Sequence, residues 1–268
     1  YDELEGVPLD EYLPDEPSRE AAVRHTVGLT DPLEEADMDD DERLDDGLPQ
    51  ALAEYVEREG VDHFKIKLSA DEERDAERLA RIGEVLEASS LESYFCTLDA
   101  NEQYNTVREF KAQWERHTND PDLAAVIDRV AYVEQPLPRA AALTDDTRKV
   151  LTAWGGRPPI IIDESDDDLD SAGRALDCGY AGTSHKNCKG VFKGLVNACL
   201  IEKRRREDVG EYVMSGEDLT TIGPVELLHD GTGPHRAQRP SLLPRAEFPS
   251  HRDSGPGPRD PRRSLPTA

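Results

Sequence analysis

Lys65 and Lys67 stand two positions apart in the run Phe64–Leu68, so a strand there aims both ammonium groups at one face. Three later apolar runs each end in acid. Tyr94–Leu98 is followed by Asp99 and Asn101, Val130–Val133 by Glu134, and Ile160–Ile162 by Asp163 and Glu164. A weaker run through Tyr180 to Ser184 leads to Lys186, with Lys189 and Lys193 beyond it. Converging carboxylates need positive charge among them, because like charges a few ångströms apart raise one another's pKa. Oxygen ligands from Asp and Glu favour Mg2+ or Mn2+ over zinc. Such an ion on a substrate carboxylate stabilises the enediolate formed when the adjacent carbon loses its proton. Lysines on opposite sides of that carbon can act as base and acid, and Lys65 beside Lys67 would help to lower its pKa.

The scarcity of lysine sharpens this reading. Of the 32 basic residues only eight are lysine, and five of those fall in the windows 65–67 and 186–193. Arginine does not give up its proton in a protein, whereas a lysine pKa can be lowered. Taken singly, Asp99, Glu134 and Asp163 are ordinary caps or surface acids in a chain with 58 acidic residues. Their shared place at the ends of successive strands is what argues for a metal. His185, a lone histidine, reads as structural.

The elements that must position these groups are legible as a repeat. The runs Val23–Leu29, Phe64–Leu68, Tyr94–Leu98, Val130–Val133, Ile160–Ile162 and Tyr212–Met214, with the weaker one before Lys186, suit buried strands. Amphipathic stretches lie between them. Leu48–Arg58 places Leu48, Leu52, Tyr55 and Val56 on one side of a helix, and Ala76–Leu86 does so with Leu79, Ile82 and Leu86. Strand–helix repeats predict an α/β fold with a parallel sheet. Seven units fit either a barrel short of its eighth or a doubly wound sheet, and periodicity does not choose between them. In a barrel every strand's C-terminal end meets at one mouth.

In order along the chain, these segments resemble the enolase superfamily in its muconate-lactonizing enzyme and mandelate racemase branch. Lys65-Ile66-Lys67 resembles the end of the second barrel strand, Asp99-Ala100-Asn101 the third, Val133-Glu134-Gln135-Pro136 the fourth and Asp163-Glu164-Ser165 the fifth. Lys186 resembles the lysine at the end of the sixth, and Ser215-Gly216-Glu217 falls where the seventh ends. The resemblance implies a TIM-type (β/α) barrel over residues 21–230. It implies Mg2+ or Mn2+ held by Asp99, Glu134 and Asp163, with Lys67 and Lys186 as the acid/base pair and Lys65 assisting. Asn101, Glu164 and Glu217 would touch substrate or support the ligands. The reaction class implied is isomerase or lyase acting on a small carboxylate: racemisation, epimerisation, cycloisomerisation or dehydration.

The match is incomplete at both ends. Residues 1–20 resemble only the last segment of the family's capping domain, expected to pack through Leu4, Val7, Leu9 and Leu13. An eighth strand is not recognisable, so a catalytically silent remnant that keeps only the metal site is the alternative. From Gly231 the chain carries eight prolines and seven arginines against Glu247, Asp253 and Asp260. That composition predicts a disordered tail over 231–268, and so abrupt a charge inversion is also what a reading-frame change produces. An open strand edge invites association with a second copy.

The net charge of -26 predicts a surface that repels nucleic acid and anionic membranes, and with so little lysine it suggests a halophilic source. Cys96, Cys178, Cys188 and Cys199 form no zinc-type spacing and read as buried thiols in a reducing, cytoplasmic setting. No stretch is apolar and long enough to span a membrane, and no secretory signal is recognisable.

Overall fold

The structure, a computed structural model, describes residues 1–16, 22–44, 46–207 and 210–217. In chain order the elements are β1 (His25–Val27), α1 (Leu52–Glu59), β2 (His63–Lys67), α2 (Glu72–Ala88) and β3 (Phe95–Asp99). Then come α3 (Val107–Asn119), α4 (Ala124–Ile127), β4 (Val130–Glu134), α5 (Arg139–Ala142), α6 (Asp145–Ala153) and β5 (Ile160–Ile162). The last are α7 (Ser171–Cys178), β6 (Gly182–His185), α8 (Val191–Glu207) and β7 (Val213–Gly216). All seven strands coincide with runs read from the sequence. The predicted tail 231–268 lies outside the described residues.

The strands form one parallel sheet in the order β1-β2-β3-β4-β5-β6-β7. A doubly wound sheet reverses its strand order; this one never does. Neighbouring strands lie ~4.8 Å apart, so β4 and β7 in a flat sheet would be separated by ~14 Å. Yet the Tyr132 hydroxyl of β4 donates to Ser215 Oγ of β7 at 2.8 Å. Arg24, just before β1, donates to the same Ser215 Oγ at 2.8 Å and to Thr97 Oγ1 of β3 at 3.0 Å. The sheet is therefore curled into a barrel wall, and the Arg24 guanidinium sits across the seam where its two edges approach.

Alternation along each strand divides the residues between the two faces. Phe64 and Ile66 of β2, Cys96 and Leu98 of β3 and Val133 of β4 join the large core beneath the helices, with Leu79, Ile82 and Leu86 of α2. Lys65, Thr97, Tyr132, Ile161 and Ser215 occupy the opposite, inner face. Ala131, Tyr132, Ile161, Ala181 and Val213 fill the barrel floor. One irregularity matters here. Cys96 pairs with Val130 but Thr97 pairs with Tyr132, so Ala131 is an extra residue. Without that bulge, strict alternation would send Tyr132 and Glu134 outward.

The helices start and stop for local reasons. The Asp71 side chain accepts from Arg74 N at the head of α2, and Thr106 and Glu109 form a capping box on α3. Gly60 ends α1 in the left-handed region. The predicted helix Leu48–Arg58 begins later than expected, because Glu54 Oε2 takes the backbone N–H groups of Gln50 and Ala51 and caps the helix there. Leu48 is consequently outside the helix and exposed. The N-terminal segment packs on α8 and β7 through Leu4, Tyr1, Tyr12 and Leu13. Leu9 departs from the expected packing and is exposed. The cysteines are free thiols; Cys96, Cys178 and Cys199 are buried as expected, whereas Cys188 is exposed on the turn after β6.

Gly182 marks the tightest approach in the wall. A Cβ there would lie 1.7 Å from the Val213 carbonyl oxygen, so only glycine lets β6 and β7 pair. Gly182→Ala is expected to cost about 3 kcal/mol, an overpacking penalty, and to release β7 with Glu217. Thermal unfolding checks the loss; an unchanged midpoint would contradict this packing.

Candidate metal centre

The inner-face residues at the C-terminal strand ends form one charged cluster. In-register pairing sets Lys67 of β2 beside Asp99 of β3, and Asp99 beside Glu134 of β4. Asp163 follows β5 directly, and its backbone N–H is fixed by Gln135 Oε1 at 2.7 Å. Gln135 itself has a left-handed φ of 37° and also accepts from Ser165 N at 3.1 Å, which locks the loops after β4 and β5 together. Glu217 follows β7, its backbone N–H donating to the His185 carbonyl.

Glu134, Asp163 and Glu217 each offer an oxygen within 4.8 Å of the others, a grouping that can hold a metal ion. Glu134 is fully buried, and neither of its carboxylate oxygens accepts a hydrogen bond within the described structure. Its nearest opposite charge is Lys65 Nζ, 3.0 Å from Oε2, with Arg24 at 4.0 Å. Burial, reinforced by Asp99 and Glu217 against the pull of Lys65, pushes the Glu134 pKa up to about 8. A buried carboxylate with so few partners is costly, and a divalent cation bound by oxygen ligands would relieve it. The donor set thus fits such an ion.

The remaining acids are held by the chain's own cations. Lys67 Nζ donates to Asp99 Oδ2 at 2.6 Å and to Asn101 Oδ1 at 2.7 Å. Lys65 Nζ lies 2.9 Å from the same Asp99 oxygen and also pairs with Glu217. Lys186 pairs with Asp163 Oδ2 and, at 3.3 Å, with Glu217 Oε2. Lys189 uses its three N–H groups on Asp163 Oδ1, the Asp163 carbonyl and the Ser184 carbonyl, at 2.6, 2.7 and 2.8 Å. Burial opposes ionisation of Asp163, but Lys189 and Lys186 outweigh it and hold its pKa below the usual carboxylate range. Burial also opposes ionisation of Glu217; Lys65, Lys186 and Arg24 bring it down to about 2. Glu164, half-buried beside Asp163, is shifted upward by that burial and by the Asp163 charge, and accepts from Asn101 Nδ2 at 3.2 Å.

Every residue singled out from the sequence therefore lies in or beside this cluster. Lys67 stands on its β3 side and Lys186 on the side toward β5 and β7. Asp99 is drawn to Lys65 and Lys67, and Glu217 stands in the close carboxylate group with Glu134 and Asp163. Burial opposes the charge of Lys65 and Lys186, but the facing carboxylates overcome it and hold both above the ordinary lysine range. His185 is buried beneath the mouth, its ring 3.2 Å from Asn187 Oδ1. Sequence reasoning missed Arg24, because nothing in its neighbourhood marks a lone arginine before a strand as turned inward. It noticed Lys189 but gave it no role.

No protein-family model matches this chain, and no curated protein matches it by sequence. Among solved structures it is similar to a dipeptide epimerase from Methylococcus capsulatus complexed with Mg ion. Identity there is 22%, with 78% of this chain and 50% of that chain covered and a TM-score of 0.49. It is also similar to an enolase from Bradyrhizobium complexed with magnesium and mandelic acid, at 17% identity, 76% and 47% coverage and a TM-score of 0.49. A dipeptide epimerase from Enterococcus faecalis V583 follows at 22% identity, 59% and 40% coverage and a TM-score of 0.41. The chain spans half or less of the length of these structures.

Proposed function

We propose that this chain is the barrel part of an enolase-superfamily enzyme that, with a divalent cation, moves the proton beside a substrate carboxylate. The observation that carries this reading is Glu134: a fully buried carboxylate, hydrogen-bonded through neither oxygen, with Asp163 and Glu217 close by and lysines on either side. Asp99, Glu134 and Asp163, from three successive strand ends, would hold the cation, taken as Mg2+ or Mn2+ for its oxygen ligands. When bound it would supply positive charge against the negative charge that develops on the substrate carboxylate.

The chain's own residues do the rest. Lys67 and Lys186 approach from opposite sides of the cluster, so a substrate between them presents one face of its α-carbon to each. Either lysine would donate a proton when charged and accept one when neutral; without substrate, Asp163 and Glu217 favour the charged form of Lys186. Asn101 orients Lys67, and Lys189 orients Asp163. Among the described residues the sheet ends at β1 and β7 without pairing between them. That open seam favours a second reading, a barrel that binds the cation and turns nothing over.

Solvent-deuterium exchange separates the two. The Mg2+-loaded protein is expected to place deuterium at the α-carbon of at least one member of a panel of small chiral carboxylates, including N-acylated amino acids and α-hydroxy acids. Mg2+ binding with no exchange across the panel selects the silent barrel.

A further inference from the structure

The loop that carries Asp163 is tied to a part of the chain far away in sequence. The Asp166 N–H donates to the Asp163 carbonyl at 2.9 Å, the same carbonyl that Lys189 Nζ reaches. The Asp166 carboxylate is buried between β6 and α8 with Thr183 and Asn197. Its Oδ2 accepts from Thr183 Oγ1 at 3.0 Å and from Asn197 Nδ2 at 3.1 Å. Lys193, one turn before Asn197 on α8, stands 2.9 Å from Oδ1 and donates to the Asp166 carbonyl at 2.6 Å. Asn197 Oδ1 in turn accepts from the Tyr1 hydroxyl at 2.8 Å. A bonded path thus runs from Tyr1 through Asn197 and Asp166 to Asp163. Further along α8, Arg204 forks onto Glu3 at 2.6 and 2.8 Å, and Arg206 donates to the Glu11 carbonyl at 2.8 Å. One helix therefore holds both the N-terminal segment and the loop of a candidate ligand.

A buried ion pair adds little stability by itself, because apolar side chains of similar volume serve as well or better. A bonded polar network instead fixes one arrangement of the groups it joins. Neither Asp166, Lys193 nor Asn197 has a part in the proton transfer set out above. We propose that Asp166 is a positioning residue for Asp163 and that the N-terminal segment, through Asn197, sets how firmly it holds. Docking of residues 1–16 and metal binding at the mouth then strengthen each other. This rests on the metal-centre reading above and adds a means of regulation to it. Coupling between two binding events is reciprocal. Whatever factor the docked segment adds to metal affinity, the metal returns as protection of the segment.

Amide hydrogen exchange of the whole chain, with and without saturating Mg2+, reads the second half of that statement in the wild type. The amides of Leu4, Glu5, Val7, Glu11 and Tyr12 are bonded within the segment. With Mg2+ they should exchange roughly fivefold or more slowly, the lower end of coupling between sites, and those of α1, outside the path, should slow by less. In Tyr1→Phe, which loses only the hydroxyl, this slowing should shrink. Mg2+ affinity by calorimetry should fall there by about two- to tenfold, the worth of one intramolecular hydrogen bond. Asp166→Ala should weaken Mg2+ binding by about 10–100-fold, as loss of a group that orients a ligand does. If Asp166→Ala does not fold, the wild type and Tyr1→Phe still decide. A purely structural role would lower the melting temperature of Tyr1→Phe yet leave its Mg2+ affinity and its Mg2+-dependent slowing as in the wild type. That result, or a wild-type segment whose exchange ignores bound Mg2+, overturns this inference alone. Absence of Mg2+ binding by the wild type overturns it together with the metal-centre reading.

Discussion

Lys67→Ala is expected to slow solvent-deuterium exchange into an accepted carboxylate substrate by about 10²–10⁴-fold, the range general acid–base catalysis supplies. Lys186→Ala should do the same, and the two losses should differ by substrate hand. Lys67 sits on the β3 side with Asp99 and Asn101, while Lys186 sits toward β5 and β7 with Asp163 and Glu217. Each therefore faces one side of a substrate held between them. Removing one should spare proton removal from the enantiomer whose hydrogen points at the other. Exchange followed by NMR on each pure enantiomer reads this directly. Undiminished exchange with both enantiomers in Lys67→Ala would remove that residue from the reaction.

Glu134→Gln should reduce Mg2+ affinity by about 100-fold or more, a loss above that seen for residues that only support a ligand. Without metal, the same change removes the cost of burying a carboxylate and also its ion pair with Lys65. The pH dependence has a definite sign. The Glu134 pKa rises from 4.5 to about 8 on folding. The folded state thus binds the extra proton, and this contribution to stability is fully present below 4.5 and lost as pH rises through 8. The stability of Glu134→Gln relative to wild type should therefore rise across that window and level off above it. Denaturant unfolding of both proteins in EDTA at several pH values measures the difference; a relative stability of the variant that falls with rising pH would contradict the burial argument.

Much of this was legible in the sequence because barrel strands advertise themselves twice, by apolar runs and by the charged residues at their C-terminal ends. Phe64–Leu68 with its two inward lysines, and the acids after three successive runs, marked both the strand ends and the face they share. The choice between a barrel and a doubly wound sheet was not legible in the periodicity, since both repeat strand and helix; only the ordered motifs at the strand ends pointed to the barrel. Contacts such as Tyr132 to Ser215 decide it, and they join residues 83 positions apart. The bulge at Ala131 was equally hidden. The run Val130–Val133 has no glycine or polar break to mark an extra residue, and only the register against β3 shows that Glu134 needs it to face inward. Helix starts failed where a side chain competed for backbone donors, as Glu54 does ahead of α1. The sequence placed Lys65 and Lys67 on one face but could not show the carboxylates of β3, β4 and β7 set against Lys65.

Anomalous diffraction from a crystal grown with Mn2+ tests the metal centre most directly. A single strong peak at the barrel mouth, bonded to Glu134 and Asp163 with Asp99 turned toward it, is the expected result. No peak there at saturating Mn2+, or a peak bonded to neither Glu134 nor Asp163, would contradict it.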